Sequence, residues 1–548
     1  MLKRGWWIIG IISVGICFSC KKNNEQEEQF PFRLEGVSVN GTADGFAYAD
    51  VGPLPVIRLN FSTAVDRASV SQGIRLVHGE GAQAAMEVDY EDGDKTVSIT
   101  PQERLSSFSQ YELQLSQALS AAEGGTLQNP LAVKLATAID SVDKFDRVSD
   151  EALLTLVQRQ TFAYFWDFGH PVSGMARERN TSGDVVTTGG TGFGVMAVIV
   201  GIERGFITRQ EGYDRVHKIV DFLHTADQYH GAFPHWLDGN TGRTQPFSAK
   251  DDGADLLETA LLMQGLLTAR AYFDAAGEQA LREAITTLYE AVDWDFFRNG
   301  EQRLYWHWSP NFAWEMNLPI TGWNEGLIAY VLAAASPTYS IAKTVYDEGW
   351  ARHGAIRNGN SYQGIPLPLG PDGGGPLFFA HYSFLGINPF GLTDAYANYE
   401  TQMKAHTAIN RAYCIANPGG FYGYSEDCWG LTASDDINGY MAHSPTSDNG
   451  VITPTAALAS FPYTPEESLK ALHFFYYKLG DKLWGEYGFK DAFSLEDAWF
   501  ADSYLAIDQG PIIVMIENYR TGLLWELFMS VPEIKTGLNK LDFSSPTL

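Results

Sequence analysis

The pattern of apolar and polar positions divides the chain into two regions with different periods. From residue 31 to residue 140, apolar and polar residues alternate in short runs, such as Val56–Phe61 and Thr96–Thr100, between turn residues. Alternation with period two is typical of half-buried strands, and strands at this spacing predict a small antiparallel sandwich. No acidic or aromatic cluster in this region indicates catalysis, so we expect it to be a spacer or a docking module.

After Asp146 the apolar period changes to about 3.6 residues and stays there to the end of the chain. Ser149 and Asp150 predict the cap of a first helix, and further helical stretches follow near residues 191–204, 208–228, 254–275, 278–295, 324–335, 339–352, 394–416, 465–480 and 511–529. Helix pairs without intervening strands predict an all-α (α/α)6 toroid over residues 147–540. We expect the loops at one end of this toroid to form a binding cleft.

The N-terminus has the order of a bacterial lipoprotein signal. Lys3 and Arg4 precede the apolar run Trp6–Phe18, which is too short to cross a membrane and ends at Ser19-Cys20. We expect residues 1–20 to be a signal peptide, Cys20 to be lipidated, and residues 21–30 to be a polar linker. The protein is then a cell-envelope lipoprotein, periplasmic or anchored at the outer membrane. A plain secretory signal is the alternative.

Charge and cysteine content narrow the possible partners. The formal net charge is −28, which argues against nucleic acid and against membrane contact other than through a lipid anchor. A neutral glycan is not repelled. Cys414 and Cys428 remain after signal removal, and their spacing does not decide between a disulfide and two buried thiols. With no zinc-type histidine or cysteine motif, we expect no metal and no cofactor.

The acidic run from Asp251 to Glu258 lies directly before a long apolar stretch. Asp251, Asp255 and Glu258 are spaced i, i+4 and i+7, which predicts that they share one face of a helix. Buried acids are costly unless they line a polar cavity, so we predict that they bind substrate hydroxyls. Helix capping is the alternative; it explains two of the acids but not Glu258.

Two further acids are candidates for proton transfer. Glu325 lies between Trp323 and an apolar helix, where desolvation would raise its pKa toward that of a general acid. Asp508, just before Gly510 and Pro511, is our candidate for the base because the acids near residue 255 crowd one another. Structural roles at helix starts are the alternatives for both residues.

Aromatic residues near these acids suit a carbohydrate, whose C–H faces pack on rings. The candidate platforms are Trp236, Trp308, Trp323 and Trp429. Core packing is the alternative for each of them.

These segments together resemble a known enzyme family. Residues 147–535 resemble the bacterial glycoamylase domain, and more closely glycoside hydrolase family 144, the β-1,2-glucanases. The resemblance rests on four segments, namely Asp251–Thr259, Gly322–Gly326, Ala506–Pro511 and Ile516–Trp525. It implies an inverting hydrolase with Asp251, Asp255, Glu258 and Glu325 at the family's essential acidic positions. Residues 31–140 resemble bacterial Ig-like modules.

We therefore predict a glycoside hydrolase that cleaves β-1,2-glucan or sophoro-oligosaccharides by an inverting acid/base mechanism and releases sophorose or short oligosaccharides. One alternative keeps the fold but changes the glucan linkage, as in a glucoamylase. Another is a surface glycan-binding lipoprotein that does not cut its ligand. Endo or exo action, product length and oligomeric state stay open at this stage.

Overall fold

The computed structural model describes residues 32–79 and 81–548, which form two compact units divided between Ile139 and Asp140. The predicted signal peptide, Cys20 and the linker lie outside the described residues. Each unit has its own apolar core. A separate core in each unit is what the change of hydrophobic period near residue 146 predicts.

The first unit consists of two β-sheets, with strand orders β1-β3-β7-β6 and β2-β9-β8-β4-β5. All its strand pairs are antiparallel except β2 with β9. The inward-facing residues of both sheets, such as Leu59, Ile99 and Leu113, are fully buried, as alternation predicts. Its elements are β1 Leu34–Val39, β2 Ala47–Val51, β3 Ile57–Phe61, α1 Arg67–Gly73, β4 Ile74–His78, β5 Ala82–Ala84, β6 Met86–Glu91, β7 Thr96–Pro101, β8 Gln110–Leu115 and β9 Leu131–Thr137.

The second unit is mainly helical. Its first helix is capped as predicted, because the Ser149 hydroxyl accepts a hydrogen bond from the N–H of Ala152. The helices are α2 Asp150–Trp166, α3 Thr188–Glu203, α4 Arg209–Leu223, α5 Leu256–Tyr272, α6 Gln279–Ala291, α7 Leu327–Ala335, α8 Lys343–Val345, α9 Tyr399–Ala416, α10 Pro454–Leu458, α11 Pro465–His473, α12 Gly480–Leu483, α13 Ala506–Arg520, α14 Leu523–Ser530 and α15 Pro532–Lys540.

Short strand pairs connect these helices. They are the three-stranded sheet of β10 Val185–Thr187, β11 Trp236–Asp238 and β12 Thr244–Gln245, and the pairs β13 Ala254–Asp255 with β14 His307–Trp308, β15 Ser361–Tyr362 with β16 Ile365–Pro366, β17 Ala433–Asp436 with β18 Gly439–Ala442, β19 Trp484–Gly485 with β20 Gly488–Phe489, and β21 Phe493–Ser494 with β22 Trp499–Phe500.

The structure corrects the C-terminal helix prediction. Residues 511–529, expected as one helix, belong to α13 and α14, because Gly522 adopts φ +76° and ends the first helical path. Helix α13 also begins earlier than expected, at Ala506. Asp508 therefore lies in its first turn rather than ahead of it.

Helices α3, α5, α7 and α13 are buried along nearly their whole length. Helix α3 packs against both α5 and α13, α5 packs against α7, and α10 packs against α13. The more amphipathic α4, α6 and α15 pack against α3, α5 and α7. Helices α3, α5, α7 and α13 have residues of the candidate site at or just before their N-terminal ends.

Helices α3 and α5 touch backbone to backbone. A Cβ atom on Gly192 would lie 2.2 Å from the carbonyl oxygen of Leu261, and one on Gly265 would lie 2.1 Å from that of Gly192. Only glycine permits this approach. It brings the N-terminus of α3, at Thr187 to Gly189, against the first turn of α5.

Cys414 and Cys428 are buried free thiols. Among the helices of the described residues, none combines the length and the apolar character that crossing a membrane requires.

Candidate active site

A cavity in the second unit, with a volume of about 450 Å³, is lined by three of the predicted site residues, Glu258, Glu325 and Trp236. A larger depression, about 790 Å³, lies on the five-stranded sheet of the first unit, but its lining holds one acid, Glu112. We therefore place the candidate site by its chemistry. Its lining residues are Glu178, Arg179, Thr187, His235, Trp236, Phe247, Leu257, Glu258, Leu261, Trp306, Glu325, Phe378, Tyr382, Ala433, Tyr440, Ala442, Leu505 and Ile507.

The acids at the start of α5 do not share a helix face as the sequence spacing predicted. Asp255 is the N-cap of α5, and its side chain accepts the N–H of Glu258 at 2.9 Å. Asp251 lies before the helix, because Ala254 and Asp255 pair with His307 and Trp308 as strands. All three acids are nevertheless buried, and they converge on His235. We call Asp251, Asp255, Glu258 and His235 the α5 cluster.

His235 supplies positive charge to the α5 cluster. Its Nδ1 lies 2.9 Å from Oδ2 of Asp255, and its Nε2 lies 4.0 Å from Oε1 of Glu258. Burial lowers the pKa of His235, but the charges of Glu258, Asp255 and Asp251 and the Asp255 hydrogen bond outweigh it and raise the pKa to about 9. The side chain is therefore an imidazolium at neutral pH.

Glu258 is held by the N-terminus of α3. Its Oε2 accepts the N–H of Gly189 at 2.7 Å and lies 3.4 Å from the hydroxyl of Thr187. Burial and the charge of Asp255 raise the pKa of Glu258, and His235, Gly189 and Thr187 offset this rise only in part. A carboxylate that accepts an N–H at a helix N-terminus beside an imidazolium is stabilised as an anion.

His235, Asp251 and Asp255 also bring potential metal ligands within 4.8 Å of one another. The positive charge of His235 balances those of the two acids in this structure. The buried His307 lies behind them, with its Nε2 3.2 Å from Oδ1 of Asp251.

Glu325 lines the same cavity, two residues before α7. The hydroxyl of Ser383 donates to its carbonyl oxygen and fixes its backbone. Burial, followed by the charges of Asp255 and Glu258, raises the pKa of the Glu325 carboxyl to about 8. Glu325 is therefore protonated at neutral pH, as a general acid must be.

Of the four predicted tryptophan platforms, Trp236 lines the cavity. Phe247, half exposed, lies with its ring centroid 4.9 Å from that of Trp236. The prediction for Trp323 and Trp429 is wrong, because they are 5% and 0% exposed and belong to the core. Trp308 packs against Tyr229, His230 and Phe296, and its near neighbour Trp306 is the one that lines the cavity.

Asp508 lies beside the cavity in a second group of three acids and one arginine, which we call the α13 cluster: Asp508, Asp491, Asp435 and Arg179. Asp508 and Asp491 are each 2% exposed. Burial, the charge of Asp491 and a hydrogen bond between the two side chains raise the pKa of Asp508 well above its usual value. Burial and the charge of Asp435 raise that of Asp491 to about 7.

Arg179 links the α13 cluster to the cavity. Its guanidinium donates to Asp435 at 3.0 Å and to Glu178 at 2.9 Å, and both Arg179 and Glu178 line the cavity. The Asp435 N–H donates to Oδ2 of Asp491 at 2.7 Å. Asp435 belongs to the hairpin β17-β18, which places the half-exposed Tyr440 at the cavity mouth.

Three residues of the site, His235, Arg179 and Asp491, were not predicted from the sequence. One signal was present for Asp491, which is the acid between Phe489 and Phe493, two buried aromatic residues. A charged side chain inside such a run is costly unless it has a partner. His235 and Arg179 had no comparable signal, since their partners come from distant segments.

Comparison with protein families finds two matches. Residues 317–532 match the glycoamylase family, described as "Putative glucoamylase". Residues 31–137 match the bacterial Ig-like domain. The two matches fall in the helical and the β-sheet unit respectively.

Two solved structures resemble the chain over most of its length. A structure described as a putative glucoamylase from Bacteroides uniformis ATCC 8492 is 60% identical, covers 74% of this chain and 100% of its own, and has a TM-score of 0.73. The endo-β-1,2-glucanase from Chitinophaga pinensis, in complex with sophorotriose and glucose, is 53% identical, with coverage of 73% and 100% and a TM-score of 0.72.

A curated relative, the exo-β-1,2-glucooligosaccharide sophorohydrolase (non-reducing end) of Parabacteroides distasonis, is 48% identical over 420 residues. The match covers 72% of this chain and 58% of the relative. This chain therefore spans less than two thirds of that relative's length.

Proposed function

The chain belongs to the glycoamylase-domain proteins of glycoside hydrolase family 144, and on that premise we propose that it hydrolyses β-1,2-glucan or sophoro-oligosaccharides and releases sophorose or short oligosaccharides. The names of its relatives support this substrate. The strongest support is that one cavity holds both Glu325, whose buried carboxyl has a pKa of about 8, and Glu258, whose Oε2 accepts the N–H of Gly189.

The proposed mechanism is inverting. Glu325 donates its proton to the glycosidic oxygen, and Asp508 accepts a proton from the water that attacks the opposite face of the sugar ring. Glu258, Asp255 and Asp251 hold glucose hydroxyls, as anionic acceptors do. Trp236, with Phe247 beside it, offers an apolar face for a sugar ring. The reaction needs no cofactor.

The fold proposed for the second unit is the (α/α)6 toroid. Its inner ring comprises α3, α5, α7, the 3-10 turns at residues 377–385, α10 and α13. The contacts of α13 with α3, α3 with α5 and α5 with α7 support such a ring. All the cavity-lining acids lie at the N-terminal ends of these inner segments or on the loops before them.

Product analysis on a panel of purified glucans tests the function. We expect cleavage of β-1,2-glucan, with the α-anomer as the first product detected by NMR. Cleavage of an α-1,4-glucan instead would favour a glucoamylase. Binding without cleavage of any member of the panel would identify a glycan-binding protein.

We also propose that Cys20 is the lipidated N-terminus of a cell-envelope lipoprotein, on the order of basic, apolar and Ser-Cys residues in the first 20 positions. Cys20→Ser should move the protein from the membrane fraction to the soluble fraction. Membrane association that persists in this variant would refute the anchor.

A further inference from the structure

Three buried carboxyl oxygens of the α13 cluster lack hydrogen-bond donors. Both oxygens of Asp508 and Oδ1 of Asp491 are buried, and no N–H or O–H of the described residues other than the carboxyls themselves donates to them. A buried carboxylate without a donor is costly, and two such groups side by side cannot both be ionised. The hydrogen bond between their side chains therefore requires one carboxyl to keep its proton and donate it to the other.

We propose that Asp508 and Asp491 form a dyad that shares one proton, and that this dyad, with a single negative charge, is the base that activates water. The proposal rests on the function proposed above. It makes Asp491 a positioning residue that acts through Asp508. Two carboxyls that share a proton are a known solution for activating water at an acid pair.

The resting position of the shared proton follows from the remaining contacts. Asp491 accepts the backbone N–H of Asp435 at 2.7 Å, whereas Asp508 accepts none. The charge therefore lies on Asp491 and the proton on Asp508. Asp508 is also the member nearer the cavity: it is buried and does not line the cavity itself, but its charge acts more strongly than that of Asp491 on the lining residues Tyr382 and Tyr440.

The charges around the dyad disfavour a second negative charge on it. Among the described residues, the cation that acts on both members is Arg179, and its charge is already shared by Glu178 and Asp435. The negative charge of Asp435 also acts on both members and disfavours a second charge there. The other titratable groups that face the dyad are Tyr382, Tyr440 and Tyr164. These phenols are uncharged at neutral pH and do not stabilise a second negative charge, so the dyad keeps one proton over the neutral range.

In the proposed catalytic step, each proton that one group gives up is taken up by another. Glu325 gives its proton to the glycosidic oxygen as the C1–O bond breaks, and the water oxygen bonds to C1. The water proton passes to Asp508, whose own proton moves to Asp491. Glu325 is then ionised and the dyad is neutral; release of a proton from the dyad to solvent and uptake of one by Glu325 restore both.

Thermal melts across pH test the shared proton without an activity assay. The folded dyad keeps a proton that unfolded aspartates lose near pH 4. Wild-type stability relative to Asp508→Asn is therefore greatest below about pH 4 and falls as the pH rises toward 7. Asp491→Asn should remove the same pH dependence, and the double variant should remove no more than either single one. Parallel curves for wild type and both variants would overturn the shared proton.

The pH profile of kcat/KM on a sophoro-oligosaccharide tests the role as base. In Asp491→Ala, Asp508 has no donor for its ionised form, so the acidic limb should move up by about one pH unit, with a loss of up to about 10-fold at pH 6. Asp491→Asn keeps a donor and should show a smaller shift. An acidic limb that does not move in Asp491→Ala would contradict the role of Asp491.

The matched control is Asp394→Asn, outside the cavity lining, where the carboxylate accepts hydroxyls of Tyr346 and Tyr399 and the N–H groups of Tyr396 and Ala397. We expect it to change the melting temperature but not the acidic limb. Wild-type protein that cleaves no β-1,2-glucan would overturn the proposed function and the base role together. The thermal melts test whether the dyad shares a proton, whether or not the protein cleaves β-1,2-glucan.

Discussion

The α5 cluster and the α13 cluster border one cavity, yet they differ in where their hydrogen-bond donors come from. In the α5 cluster, Glu258 accepts the N–H of Gly189, and Asp255 accepts that of Glu258 and pairs with His235. In the α13 cluster, Asp508 accepts no such donor. The number of donors, more than the number of acids, decides which carboxyl is charged. The first cluster is suited to holding hydroxyls and the second to moving protons.

The largest expected effect comes from Glu325, which lines the cavity and feels the charges of Asp255 and Glu258 in the α5 cluster. Glu325→Gln should lower kcat by about 10²–10⁴-fold and leave the fold intact, because the amide has the same shape but no acidic proton. The wild-type rate should fall above about pH 8, where the raised pKa of Glu325 places its ionisation. Initial rates on β-1,2-glucan across pH measure both effects.

Glu301→Gln, at an exposed carboxylate paired with Arg303, is the control for the Glu325 variant and should behave as wild type. Turnover near the wild-type level in Glu325→Gln would show that another group donates the proton.

Glu258→Gln should weaken binding as well as turnover, with KM raised about 10-fold, because the variant removes an anionic acceptor of hydroxyl groups. The charge of Glu258 also raises the pKa of Glu325. Its loss should therefore move the alkaline limb of the profile to lower pH, by up to about one unit. If the alkaline limb does not move, the charge of Glu258 does not affect the ionisation of Glu325. The division between an α5 cluster that holds hydroxyls and groups that transfer protons would then lack support.

His235→Asn tests the charge balance of the α5 cluster through stability. The folded pKa of His235 is about 9, above its unfolded value of 6.5. Its contribution to the free energy of unfolding, at most about 3 kcal/mol, is therefore fully present below pH 6.5 and lost as the pH rises through 9. Urea unfolding at pH 6 and pH 9.5 should show this loss in wild type and not in the variant.

The exposed His224, changed to Asn, provides the control for His235 and should keep the wild-type pH dependence. An equal loss of stability with pH in wild type and His235→Asn would show that His235 does not neutralise the acids of the α5 cluster.

The smallest effect is expected from removing residues 21–140. The helical unit has its own core and contains every residue of the cavity lining. The truncated protein should stay folded and cleave short sophoro-oligosaccharides within about twofold of the full-length rate. Circular dichroism and initial rates check this, with the full chain as reference. An insoluble or inactive product would make the β-sheet unit part of the catalytic unit.

The sequence predicts features that depend on neighbours along the chain. The two periods predicted a strand unit and a helical unit, and Ser149 predicted the first cap. Glu258 and Glu325 were recognisable because each is an acid next to a strongly apolar run. Such local conflicts between charge and burial mark functional positions in many folds.

Features that depend on distant segments could not be predicted in the same way. The pairing of Ala254 and Asp255 with His307 and Trp308 removed Asp251 from the helix, and these strands are about 50 residues apart. Trp306 and Trp308 lie two residues apart, so no local signal separates the ring that lines the cavity from the ring that packs away from it. The Asp508–Asp491 dyad joins a helix to a separate loop, which sequence spacing does not show.

The glycine contact between α3 and α5 bears on how this enzyme can diversify. Any side chain at Gly192 or Gly265 would meet backbone atoms at about 2 Å and push the helices apart, carrying the N–H of Gly189 away from Glu258. A substitution at either glycine would therefore break the hydrogen bond between the Gly189 N–H and Glu258. New substrate preferences have to arise in the surrounding loops, such as the hairpin that carries Tyr440, and directed-evolution libraries are best confined to those segments.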